Sequence, residues 1–102
     1  MVATARIHAK EESELAMTQA VALDVTVLVF AAYADRFGWR RQRVTVPGPA
    51  TVNDVVDACR ALPGGAILPE APLVARNAQF VALATPIAHG DEIALMPPVA
   101  GG

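Results

Sequence analysis

The sequence predicts an α+β domain: a mixed sheet with one main helix packed on one face, and an extended C-terminal tail. Three observations lead there. Residues 25–30 are β-branched and aromatic and residues 43–46 alternate apolar with polar, so together they read as an N-terminal hairpin. One amphipathic helical stripe follows from Thr51, and short extended pieces come after it. A helix inserted between a hairpin and later strands places one helical layer on one sheet.

Residues 1–23 stand apart as an N-terminal extension. Lys10, Glu11, Glu12 and Glu14 sit among alanines with no continuous apolar stripe, so the segment reads as mobile or weakly helical. Met17 is a candidate alternative start within it. The domain proper spans 24–96. Its first strand, 25–30, has apolar residues at successive positions and is expected to be buried on both faces. Residues 31–37 are short and mixed, one helical turn or a loop, and Gly38 breaks them. Residues 43–46 form a half-exposed strand stopped by Pro47-Gly48-Pro49, with Arg40, Arg41 and Arg43 leading into its solvated edge. Thr51 is a helix N-cap, and Asp54 three residues on completes a capping box with Asp in place of Glu. Val52, Val55, Val56, Cys59 and Leu62 share one stripe, with Asp57 and Arg60 off it, and Pro63-Gly64-Gly65 ends the helix. Inside that stripe Cys59 reads as a buried, inert thiol. Residues 73–77 form a short strand, Asn77-Ala78-Gln79 turns, and 80–83 is a second extended piece. His89-Gly90-Asp91 turns again, and 92–96 is the last strand. This order is the connectivity of a ubiquitin-like β-grasp.

Composition bounds the function. At 102 residues there is one domain, and a hydrophobic fraction of 54% is enough for a core, which excludes global disorder. A net charge of −2 leaves no face-wide excess of Lys and Arg for nucleic acid. Cys59 is alone, so no internal disulfide forms. The longest apolar stretch, 25–34, is too short to span a bilayer, and the N-terminus lacks the pattern of a signal peptide. A soluble cytoplasmic protein with no membrane and no nucleic-acid partner is expected. His8 and His89 have no partners at metal-ligand spacing, and Gly64-Gly65 lacks the Lys and Ser/Thr of a phosphate loop. Ser13, the only serine, makes no triad, and no paired carboxylates are evident. These absences fit a protein that carries a group and leaves catalysis to a partner.

The candidate site is the tail, 97–102. Pro97 and Pro98 fix φ and stiffen its base, Val99 and Ala100 continue it, and Gly101-Gly102 end in a carboxylate unobstructed by side chains. At about 3.1–3.5 Å per extended residue the tail reaches on the order of 20 Å, long enough to thread a narrow channel in another protein. The reacting group is therefore expected to be the Gly102 carboxylate.

From Asp24 to Gly102 the chain resembles the small subunit of molybdopterin synthase, a MoaD-like sulfur carrier of the ubiquitin-like MoaD/ThiS superfamily. Three stretches carry the resemblance: Val27-Leu28-Val29-Phe30-Ala31, Asn77-Ala78-Gln79-Phe80-Val81, and residues 90–102, Gly-Asp-Glu followed by an apolar strand, Pro-Pro and the terminal diglycine. The resemblance implies that a ubiquitin-activating-type adenylyltransferase uses ATP to convert the Gly102 carboxylate to an acyl-adenylate. A sulfur donor protein then displaces AMP and leaves a thiocarboxylate. The tail enters the large subunit of the synthase and gives its sulfur to a pterin precursor in molybdenum cofactor biosynthesis. The chain itself would bind no cofactor or metal and have no activity alone. Gly101 and Gly102 would enter the partner's site, while Phe30, Phe80, Met96, Pro97, Pro98, Val99 and Ala100 would contact partners. Phe30 reads equally as core or interface, and Phe80 reads as interface.

Some residues depart from the family pattern. Met96 stands where an aromatic is common, Arg76 replaces a usually apolar residue and puts burial of its strand in question, and Ala34 lies where a charge is frequent. Three other classes stay open: a carrier for another sulfur pathway such as thiazole synthesis, a ubiquitin-like modifier joined to lysines through Gly102, and an interaction module with a passive tail.

Overall fold

The computed structural model describes residues 22–98; the N-terminal extension up to residue 21 and positions 99–102 of the tail lie outside the described residues. The apolar run opens the fold as strand β1, Ala22–Val29, three residues earlier than the side-chain pattern indicated. It pairs antiparallel with β2, Arg41–Pro47, so the N-terminal hairpin is present. On its other side β1 runs parallel to β5, Glu92–Met96. Strand β3, Leu73–Arg76, is antiparallel to β5 and to the short β4, Gln79–Val81. The five-stranded mixed sheet has the order β2-β1-β5-β3-β4.

Between the strands lie two helices, α1 at Ala31–Phe37 and α2 at Val52–Arg60, and a 3-10 turn at Gly65–Ile67. Helix α1 is longer than the single turn its composition indicated. It is held by burial of Tyr33 and Phe37, and ends on Gly38 in the left-handed region (φ 82°). Helix α2 starts as read from the sequence. The Asp54 carboxylate accepts the Thr51 N–H at 2.8 Å and the Thr51 hydroxyl at 3.2 Å, while the Asp54 N–H donates to the Thr51 carbonyl. It ends at Arg60, before Pro63, and Leu62 packs beside the core from beyond the helix end. Arg60 pairs with Asp57 at 2.7 Å and donates to the Pro69 carbonyl at 2.6 Å, tying the helix to the chain that leads back to the sheet. Gly64 is required where the chain passes α1, since a Cβ there would run into the Arg36 carbonyl.

One sheet face carries Val25, Val27, Val29, Val44, Val46, Val74, Ile93 and Leu95, all buried against Val52, Val55, Val56 and Cys59 of α2. The expectation that the first strand is buried on both faces is corrected. Thr26 and Leu28 are only half-buried, because the single helical layer covers one face and no element covers the other among the described residues. Removing a helix contact from this core, as in Val56→Ala, is expected to cost about 2–3 kcal/mol, read as a lower denaturant midpoint at unchanged slope.

Candidate functional site at the root of the tail

Pairing of β1 with β5 decides where the tail leaves. The two strands run the same way with Val29 beside Leu95, so the next step along each brings Phe30 to the level of Met96. Phe30 keeps extended dihedrals (φ −134°, ψ 157°) and so prolongs the strand's alternation, before Ala31 turns the chain sharply at φ 50°. Across the other edge of β5, Met96 faces Leu73 of β3. Phe30, Met96 and Leu73 therefore flank the point where Pro97 begins. One level down, Phe80, Ala75, Ala94 and Leu28 lie in a row across four strands on the face opposite α2.

This plate is apolar and open. Phe80 is 65% exposed, Leu73 49% and Phe30 43%, unusual values for side chains whose burial is favourable. Next to Phe30 the plate runs into a cleft of about 370 Å³ lined by Leu28, Ala34, Asp35, Arg40 and Arg41. Apolar surface with a charged margin is the composition of a protein-docking surface.

At the far end of β5 a buried carboxylate fixes the strand. Asp91, 7% exposed, accepts hydrogen bonds from Arg76 Nε at 2.8 Å, Asn77 Nδ2 at 3.0 Å and the Ala88 N–H at 2.8 Å. The Glu92 N–H donates to Asn77 Oδ1 at 2.9 Å, and the Thr26 N–H donates to the Asp91 carbonyl at 3.0 Å. Burial alone would raise the Asp91 pKa; the donors from Asn77, Ala88 and Arg76 outweigh it and hold the carboxyl below the ordinary carboxylate value. These bonds tie β5 to β3 and β1 at its first residue.

The ThiS family profile matches residues 27–102. The chain belongs to the ThiS family. This ThiS-family chain is 40% identical over 83 residues to small archaeal modifier protein 1 of Haloferax volcanii, a match covering 72% of this chain and 95% of that protein. Its structure is similar to the crystal structure of that relative, with a TM-score of 0.68, 35% identity and coverage of 78% and 99% of the two chains. It is also similar in fold to a chain of the Helicobacter pylori complex of subunits 1 and 2 of molybdopterin-converting factor. There the TM-score is 0.56 at 22% identity, over 78% of this chain and 100% of that one. The β-grasp architecture and the MoaD/ThiS superfamily membership expected from the sequence are both found.

In this ThiS-family chain the expected contact residues are dispersed in sequence and brought together by the sheet. Phe30 and Phe80 are both exposed, Met96 and Pro97 are half-buried, and Pro98 is exposed. Val99, Ala100, Gly101 and Gly102 lie outside the described residues. Arg76 leaves its strand buried at Val74 and Ala75 and spends its own charge on Asp91, at the end away from the tail. Sequence reading missed Leu73 and Leu28 as parts of the plate. Leu73 alternates with buried Val74, the one local sign that it faces outward, but its place beside Met96 depends on a pairing between distant strands. Cys59 is fully buried and its thiol is pushed up to about 11 by burial, so it offers no nucleophile. Among the described residues no His, Cys, Asp or Glu cluster fit for a metal occurs, and no helix is long and apolar enough to cross a membrane.

Proposed function

We propose that this chain is a sulfur carrier that works through its Gly102 carboxylate, and that it serves as the sulfur-donating subunit of a molybdopterin synthase. The observation that carries the reading is the open apolar plate of Phe30, Leu73, Met96 and Phe80 at the base of the Pro-Pro-Val-Ala-Gly-Gly tail. A carboxylate is a poor electrophile. An adenylyltransferase partner joins it to AMP from ATP, a sulfur donor displaces AMP, and the resulting thiocarboxylate is a soft nucleophile held on a folded handle. The plate seats the carrier on each partner in turn, and the large subunit supplies the site in which sulfur passes to the pterin precursor. The chain that shares the fold in the Helicobacter pylori structure belongs to a complex of subunits 1 and 2 of molybdopterin-converting factor. Mass spectrometry of protein co-expressed with its adenylating partner tests the reading: one terminal oxygen replaced by sulfur is expected, and an unmodified Gly102 beside an active partner refutes it.

Phe80→Asp is expected to weaken large-subunit binding by more than about tenfold in titration calorimetry, since an exposed aromatic at an interface is a candidate hot spot. Its melting temperature should stay close to wild type, because Phe80 contributes little to the core.

A second reading, attachment of Gly102 to lysines of other proteins, is favoured by the 40% identity to a protein named a modifier. Conjugates that disappear when Gly101-Gly102 is deleted, with molybdoenzyme activity unaffected, would select it over the carrier role.

A further inference from the structure

We propose that the outer edge of β2 docks an extended acidic segment of another protein, which adds to the sheet as an antiparallel strand. Its carboxylates lie over Arg41 and Arg43, and its alternate apolar side chains enter a groove between β2 and α2. This docking site is separate from the tail and does not rest on the activation of Gly102.

The edge is open. In the order β2-β1-β5-β3-β4, β2 pairs only with β1 among the described residues, and over seven residues, Arg41–Pro47, it is the longer of the two sheet edges. The Val29 N–H donates to the Arg40 carbonyl at 3.0 Å, and antiparallel bonding alternates from there. Gln42, Val44 and Val46 thus bond inward to β1, while the backbone N–H and carbonyl groups of Arg41, Arg43 and Thr45 point outward. An extended segment can bond to these three residues.

The two sides of the edge differ, and so fix the side-chain pattern of the occupant. Val44 and Val46 are buried towards α2, which leaves Arg41, Arg43 and Thr45 exposed on the open face. On the helix side a groove of about 520 Å³ lies along the edge, lined by Val46, Pro47, Pro49 and Ala58, with Asp54 in its helical wall. An added strand sends successive side chains to opposite faces. One set meets two arginines about 7 Å apart along the strand, which matches the spacing of its own alternate residues. The other set meets an apolar trough with a carboxylate beside it. Acidic residues therefore fit the open face and apolar ones the groove, where an acid would face Asp54. The Thr45 hydroxyl donates to Asp24 Oδ1, so the matching acids belong opposite Arg41 and Arg43 alone.

A second copy of this chain fits poorly. Two-fold pairing about Arg43 sets Arg43 against Arg43, and pairing about Gln42 sets Arg41 against Arg43, like charges directly opposite. Pairing about Val44 sets Arg41 against Pro47, which has no N–H to donate.

The test titrates the isotope-labelled full chain with a capped heptapeptide of alternating valine and glutamate, and with its valine–lysine counterpart. The glutamate peptide is expected to bind at least about tenfold more tightly, to weaken as salt rises, and to slow amide exchange at Arg41, Arg43 and Thr45. In antiparallel pairing the residues opposite Arg41 and Arg43 are the ones that bond to β2. N-methylation of the glutamate amides should therefore abolish binding, and N-methylation of the valine amides should not. Arg41→Glu combined with Arg43→Glu should reverse the preference towards the lysine peptide. Should that variant not fold by circular dichroism, the N-methylated peptides decide the matter on the wild-type chain. Equal affinity for the two peptides, binding that survives glutamate N-methylation, or protection at Phe30 and Phe80 in place of the β2 edge overturns the proposal. The chain without Gly101 and Gly102 should bind the glutamate peptide as the full chain does, so a failed sulfur loading leaves this inference standing; loss of binding on that deletion overturns it.

Discussion

Deletion of Gly101 and Gly102 is expected to abolish sulfur loading and every transfer that depends on it, while the domain unfolds at the same temperature as the full chain. The sheet and its helix close without these residues. The buried core runs from Val25 to Leu95, and the last strand ends at Met96. The Cys59 thiol, buried and raised, is no substitute, and the plate around Phe30 and Phe80 is apolar. The stability change should stay within about 0.5 kcal/mol, the usual range for changes away from packed or hydrogen-bonded sites. The two readouts separate the roles. Intact mass after incubation with ATP, sulfur donor and adenylating partner should show no thiocarboxylate, and thermal unfolding should overlay the parent curve. A shortened chain that still accepts sulfur would refute the assignment of Gly102.

Asp91→Ala should be the most damaging single change to the fold outside the apolar core. It removes the acceptor of three hydrogen bonds and strands the Arg76 guanidinium beside a gap. Breaking one side of a buried ion pair costs about 3–5 kcal/mol, and the partial exposure of Arg76 places this case near the lower end. Asp91→Asn keeps the shape and one acceptor oxygen and should fall between. The carboxyl has a folded pKa below its unfolded value, so its contribution is fully present above the ordinary Asp pKa, about 3.9. It is lost as pH falls through the lowered folded value. Denaturant melts at pH 7 and near pH 3 should therefore show the wild-type advantage over Asp91→Ala shrinking at acid pH. A constant difference would mean that packing, not the charge, is what Asp91 supplies.

What was legible in the sequence was local. Thr51 and Asp54 lie within one turn of each other, and their cap is the one expected. The helical stripe is also as read, and the final strand has the expected bounds, because alternation in 92–96 needs no distant partner to be seen. What was hidden depends on contacts between distant segments. Residues 31–37 lack the length and stripe of a helix and become one only because Tyr33 and Phe37 find the core. The parallel pairing of β1 with β5 joins residues more than sixty positions apart, and from it follow the meeting of Phe30 with Met96, the recruitment of Leu73, and the one-sided burial of β1. Asp91 read as part of a turn because its donors Arg76 and Asn77 come from another strand and its neighbouring turn. The tail motif was visible because it lies in consecutive residues.

Strand β5 lies between two neighbours, held by ladders on both sides and anchored at its start by Asp91. A partner that grips the tip and draws it along the strand axis loads both ladders in shear, so many bonds bear the force together and no end peels first. A pull on the end of β5 would thus be borne by the sheet as a whole rather than by its last strand alone.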